Sequence, residues 1–201
     1  MTEVAILYPS LFKSYSKFRR KILRLISNLD DVHLAFSDDP NGFTRKLADE
    51  ESIKIKELSK LPNGFQNITH AIIFDDGEEH PNELSLFQQR DIPVRLIHIP
   101  ITRVVNIKKD ENLKGLKSTA EYEYIGRGSY WGNPYSMYDE GESREEVIRK
   151  YKYDFDFDKF PNKKKDEVYK LAGKRLGCFC KPQACHGDVL ADFLNSWDDG
   201  K

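Results

Sequence analysis

"EVAILYPSLFKSYSKFRRKILRLISNLDDVHLAF", residues 3–36, reads as strand, helix, strand. Its opening segment "EVAILYP" (3–9) is a nearly continuous apolar run, the pattern of a strand buried on both faces. Tyr15, Phe18, Ile22, Leu25 and Leu29 then recur at spacings of three and four, which predicts an amphipathic helix over residues 13–29. "DVHLAF" (31–36) supplies the second strand. Parallel strands need a crossover connection, so this order sets up a parallel sheet covered by helices.

The alternation continues. "SDDPNG" (37–42) is a turn, residues 43–51 a helix, and "IKIKEL" (53–58) a strand exposed on one face. "HAIIFDDG" (70–77) is a buried strand ending in acidic residues, "PNELSLFQQR" (81–90) a helix started by Pro81, and "IPVRLIHIP" (92–100) the last strand. The expected fold is α/β: a Rossmann-like parallel sheet over residues 1–100, then a compact α/β module over residues 101–198. Within the module, "ITRVVNIKKD" (101–110) is a strand, residues 109–123 a polar loop, and residues 164–172 a helix. Ser143 and Glu146 form a capping box ahead of Val147, Ile148 and Tyr151 on one helix face. "KRLGCFC" (174–180) is a strand and "DVLADFLNSW" (188–197) the terminal helix; "KFPNKKK" (159–165) is a solvated surface.

The chain has 201 residues, with 32 Lys and Arg against 33 Asp and Glu, a net charge of -1. No global field therefore attracts nucleic acid, although a local basic patch is compatible with that balance. No segment reads as a membrane span, and the start "MTEVAILYPS" carries an acidic residue where a signal peptide carries positive charge. The expected location is the cytoplasm. An odd cysteine count in that compartment argues against a disulfide framework and leaves the thiols for metal or chemistry.

All three cysteines lie in "LGCFCKPQACHGDVL" (176–190). On a strand, Cys178 and Cys180 share one face and Phe179 takes the other; the "KPQA" turn returns Cys185 and His186 ahead of the last helix, which Asp188 is placed to cap. Three readings compete. Cys178, Cys180, Cys185 and His186 could form a tetrahedral zinc site, although adjacent Cys-His ligands are an unusual spacing. Alternatively Cys185 is a nucleophile, acidified at a helix start, with His186 or Asp188 in proton transfer. In the third reading the cysteines are small core residues and His186 donates to a backbone carbonyl.

"YIGRGSYWGNPY" (124–135) adds partners. Arg127 between glycines can clamp a phosphate or carboxylate, or be solvated. Trp131 is a stacking platform or a core aromatic; Asn133 reads a ligand edge or braces the turn before Pro134. Arg144, in the first turn of its helix, lines the site or is solvated.

The first half, through "SDDPNGFTRKLADEESIKI" and "HAIIFDDGEEHPNELSLFQQRDIPV", resembles the SLOG superfamily, the Rossmann-like nucleotide-binding fold shared by DprA and the lysine-decarboxylase-like LOG proteins. The resemblance implies a phosphate cradle of backbone amides, for which this sequence keeps only Asn41-Gly42 and Gly77. Asp38, Asp39, Asp75 and Asp76 would repel a phosphate there. From Arg103 to Leu194, "RVVNIKK", "YIGRGSYWGNPY", "SREEVIRKY" and "LAGKRLGCFCKPQACHGDVL" resemble an uncharacterised domain family of bacteria and their viruses. That resemblance implies one module, one site, and a phage-encoded protein acting in the host cytoplasm.

The expected function is an enzyme acting on a nucleotide, nucleoside or nucleic-acid base, with glycosyl or base transfer compatible. Its site would combine Cys185, His186 and Asp188 with Arg127, Trp131, Asn133, Arg144 and Gly77. The alternative is a non-catalytic protein that senses or sequesters a nucleotide and uses the cysteines for structural zinc. A nucleic-acid adaptor is disfavoured by the balanced charge.

Overall fold

The computed structural model of the chain describes residues 1–59, 64–108, 111–113, 115–137 and 141–200. They fold as two units, Met1–Ile99 with Ser196–Lys201, and Pro100–Asn195.

In the first unit β1 (Thr2–Leu7), β2 (Val32–Phe36), β3 (Lys54–Glu57), β4 (His70–Asp75) and β5 (Val94–His98) form one sheet in the order β3-β2-β1-β4-β5. Every pairing is parallel, the Rossmann-like arrangement. The apolar runs of β1 and β4 are buried on both faces because helices cover both. One face carries Ala5, Leu7, Ala35 and Ile73 against Phe65 and Phe87. On the other, Phe18 from α1 (Tyr15–Ile26) stacks on Phe74 at 5.2 Å, and Phe43 from α2 (Phe43–Glu51) stacks on Tyr8 at 5.4 Å. The helix α3 (Pro81–Gln89) begins at Pro81 as its missing N–H allows.

Two expectations shift. The helix predicted to residue 29 stops at Ile26, where the Ser27 hydroxyl bonds back to the Arg24 carbonyl at 3.0 Å. The strand "IKIKEL" is exposed along all of β3, not on one face, because it forms a sheet edge and helps block further pairing with its lysines.

In the second unit β6 (Arg103–Asn106), β7 (Tyr122–Tyr124) and β8 (Arg175–Cys178) make a parallel sheet in the order β6-β8-β7, accompanied by α4 (Arg144–Asp156) and α5 (His186–Ser196). The strand expected over 101–110 narrows to β6, and residues 109 and 110 lie outside the described residues. Among its described residues the polar stretch read as loop contains a 3-10 turn at Glu111–Leu113 and the first two residues of β7 but no long element; residue 114 also lies outside the described residues. The helix expected over 164–172 is a 3-10 run, Lys165–Leu171. The capping box of α4 is formed as read, with Ser143 accepting from the Glu146 amide and Glu146 from the Ser143 amide.

The carboxyl ends of β1, β2 and β4 are where a Rossmann-like sheet takes a phosphate, on amides at a helix start. Here those amides are spent within the chain. The Asp39 carboxylate accepts from the amides of Thr44 at 3.0 Å and Arg45 at 3.1 Å, both in the first turn of α2. The Tyr8 hydroxyl donates to Asp39 and accepts from the amides of Asn41 at 3.1 Å and Phe43 at 3.2 Å. Gly77 fares the same way, its amide donating to the Asp75 carboxylate at 3.0 Å. The amides of the expected cradle are therefore engaged within the chain, Asn41 by the Tyr8 hydroxyl, Gly42 by the Asp39 carbonyl and Gly77 by the Asp75 carboxylate, and Gly77 offers no amide to a ligand.

Removing the Asp39 carboxylate should orphan two helix amides and the Tyr8 hydroxyl. Asp39→Ala is expected to lose about 1–3 kcal/mol of stability and Asp39→Asn less, since its amide oxygen still accepts; urea unfolding followed by circular dichroism checks this.

Candidate functional site

In the second unit all three strands are parallel, so their carboxyl ends point to one edge. Asn106–Lys108, Tyr124–Arg127 and Cys178–Cys180 meet there. The Ile107 amide donates to the Cys178 carbonyl at 3.2 Å and the Ile125 amide to the Gly177 carbonyl at 3.0 Å. At this edge is a cavity of about 310 Å³. Its wall carries Arg127, Asn133, Arg144, Cys178, Cys180, Cys185 and His186, seven of the residues singled out from the sequence.

The cysteines are free, and their sulfurs all lie within 4.8 Å of one another. Among the described residues they are the one group of three or more potential metal ligands so gathered. Cys178 and Cys180 sulfurs are 3.5 Å apart. A hydrogen bond from the Cys185 thiol holds Cys178 well below an ordinary thiol, at about 5, against the burial that opposes ionisation. The same bond and burial push Cys185 far up. Cys178 and Cys185 therefore titrate as a pair that shares one proton between its two sulfurs. Burial also raises Cys180, within reach of the Arg144 guanidinium.

His186 is buried, and burial pushes its pKa down, keeping the ring neutral. Its Nε2 lies 2.9 Å from the Ile125 carbonyl, which can only accept, so Nε2 carries the proton and Nδ1 is bare. Nδ1 lies 3.7 Å from the Cys185 sulfur. His186 therefore approaches the sulfur cluster through Cys185, without joining the mutually close set.

Other expected site residues have different work. Trp131 is 4% exposed within the core, and its carbonyl accepts from the Tyr151 hydroxyl at 2.9 Å; it is no stacking platform. Asn133 braces its loop, donating to the Val147 carbonyl at 3.1 Å and accepting from the Tyr135 amide at 2.9 Å. Asp188 accepts from the Cys185 amide at 2.9 Å and pairs with Lys181 at 2.6 Å, so it caps α5 and lies off the cavity wall. Gly77 belongs to the first unit. Arg127 is exposed on the wall, and Arg144 donates to the Ala184 carbonyl at 3.3 Å.

Sequence reasoning missed Tyr135, Met137, Val147, Ile148 and Phe179, which also line the cavity. The strand expected over 174–180 ends at Cys178, so Phe179 and Cys180 follow it and Phe179 lies on the same cavity wall as the cysteines, not on an opposite face. Tyr135 donates to the Asp154 carboxylate at 2.6 Å.

A Rossmann-like parallel sheet followed by a cysteine-bearing α/β unit is the class this architecture defines. Residues 1–105 match the Minimal SLOG domain, and the chain belongs to that family. Residues 105–196 match the Domain of unknown function (DUF4326). The chain is 45% identical over 76 residues to the "Uncharacterized 12.4 kDa protein in nrdA-td intergenic region" of Enterobacteria phage T4; the match covers 35% of this chain and 65% of the phage protein, just under two thirds. No solved structure matches the chain. The SLOG membership points to a nucleotide-related function, and the phage relative carries no assigned activity.

The Asp154 bond, aided by burial, pushes the Tyr135 hydroxyl up to about 12. A folded pKa above the unfolded value of about 10 stabilises the protein below pH 10 and is lost as pH rises through the folded value. Tyr135→Phe is expected to cost about 1 kcal/mol at pH 8, and that gap from wild type should narrow as pH rises from 10 towards 12, read from paired urea unfolding curves.

Proposed function

We propose that the second unit is a nucleotide-directed transferase or hydrolase that binds a nucleotide or nucleoside in the carboxyl-edge cavity and acts on it at a zinc ion held by Cys178, Cys180 and Cys185. The observation that carries this reading is the convergence of three free sulfurs on the wall of a cavity that also carries two arginines. Zinc–sulfur bonds of about 2.3 Å in a tetrahedron separate the sulfurs by about 3.8 Å, and a cluster within 4.8 Å needs little movement to reach that. Three protein ligands leave a fourth position for water, the arrangement of catalytic zinc, where the metal makes a nucleophile available near neutral pH.

Arg127 and Arg144 hold the anionic part of the substrate. The first turn of α5 opens at the same wall, adding the positive end of its helix dipole. Tyr135, Val147 and Ile148 give the sugar or base an apolar bed. His186 supports the cluster: tied to Ile125, it fixes α5 against the loop that carries Arg127. Activity in a reducing cytoplasm keeps the thiols available to the metal. Among the described residues no helix is long and apolar enough to cross a membrane.

One observation favours a second reading, a nucleotide-binding protein with a closed structural zinc. The bare Nδ1 of His186, 3.7 Å from the Cys185 sulfur, would supply the fourth ligand after a small ring shift. Closed and open sites differ in turnover, not in metal content.

Native mass spectrometry of protein purified without chelator is expected to show one zinc per chain, lost in Cys180→Ser. A metal-free wild type would overturn the metal-based reading. Zinc-loaded protein is then incubated with mononucleotides and nucleosides and the products separated by chromatography. Turnover that falls at least about tenfold in kcat/KM in Arg127→Ala supports the enzyme, because a charge-assisted phosphate contact contributes about 1.5–3 kcal/mol. Stoichiometric binding without product supports the closed site.

A further inference from the structure

A second cavity, of about 510 Å³, adjoins the first along the carboxyl edge of the same sheet. Ile107 and Lys108 after β6, Tyr124 at the end of β7, Leu116 and Lys117 line it, and Phe179 belongs to the walls of both cavities. Cys178 ends β8 and Phe179 and Cys180 follow it; the two cysteines line the first cavity, and Phe179 between them stands on the ridge that separates the two. Phe179 is 49% exposed, an aromatic residue left open to solvent beside the candidate metal cluster. The Lys108 ammonium lies 5.7 Å from the centre of that ring, and the Tyr124 ring meets it edge to face at 6.4 Å.

A single nucleotide anchored on Arg127 and Arg144 fills the first cavity and leaves the second bare. The second has the features that take a nucleobase: exposed flat and apolar side chains for stacking, and lysines at its rim for a phosphate. We infer that the substrate of this site carries two nucleosides joined through phosphate, one in the cysteine cavity and the other in the Lys108–Lys117 cavity, with the linkage crossing Phe179. This rests on the nucleotide-directed reading above and narrows its substrate class. Two sources share the chemistry: a small dinucleotide bridged by diphosphate, and single-stranded nucleic acid bridged by phosphodiester.

The test titrates the zinc-loaded full chain by calorimetry with three probes: adenosine monophosphate, diadenosine diphosphate, and a deoxyadenosine dinucleotide linked by phosphodiester. At least one two-nucleoside probe is expected to bind about tenfold or more tighter than the mononucleotide, since base stacking on an aromatic contributes about 1–3 kcal/mol. The readout is the ratio of the two affinities. It should fall towards one in Phe179→Ala, which removes the ridge, and in Leu116→Glu, which sets a negative charge at an exposed position of the second cavity alone. Preference for the diphosphate assigns the small-molecule source, and preference for the phosphodiester assigns nucleic acid. A mononucleotide that binds as tightly as both larger probes overturns this inference and leaves the nucleotide-directed reading standing. A ratio unchanged in both variants also overturns it. Failure of every probe to bind overturns the two together.

Discussion

The last hydrogen bonds of β8 hold the second unit's site together. Its Gly177 carbonyl takes the Ile125 amide and its Cys178 carbonyl takes the Ile107 amide, so the central strand grips both neighbours where they leave the sheet. The chain has little freedom at that point. A side chain on residue 177 would begin 2.0 Å from the Tyr122 hydroxyl, so glycine there leaves room for the Tyr122 ring where β7 closes against β8. Everything that follows the three strand ends is positioned by this closure: the Arg127 loop after β7, the lysine-bearing segment after β6, and the cysteines on and after β8. Parallel pairing also sets the polarity of the site, because it brings three carboxyl ends to one edge and leaves the starts of the crossover helices beside it.

The cysteine cluster has an electrostatic logic that none of its members has alone. Three thiols pressed together in a buried place cannot all ionise, so Cys178 and Cys185 share a proton between their sulfurs. A divalent ion would relieve that conflict by neutralising several thiolates at once. His186 shows the same economy of roles. One ring nitrogen secures the Ile125 carbonyl, which fixes the orientation of the ring, and the other then faces the sulfur beside it.

Much of this was legible in the sequence where the signal was local. Strands β1 and β4 announce themselves because a strand buried on both faces is apolar throughout, and the Ser143–Glu146 box is a contact between residues three apart. The cysteine cluster was legible because a strand, a turn and a helix start bring its members back within eight positions. What escaped depends on tertiary packing. Whether Trp131 faces ligand or core is decided by Tyr151, twenty residues away on α4. The three residues of β7 are too few to show a period, and Tyr135, Val147 and Ile148 become a cavity wall only when α4 docks. The helix-start argument treated Cys185 as an isolated group, whereas its nearest electrostatic neighbour is another sulfur and the two titrate as a pair.

The seat at the start of α2 invites a different comparison. A free phosphate occupies such a place in proportion to its concentration and leaves when the concentration falls. Asp39 is tethered to the seat by the backbone, so its effective concentration does not change with the surroundings. Any outside anion must compete with a resident that never dilutes. An anion reaching the first turn of α2 has to displace a carboxylate that the chain itself holds in place.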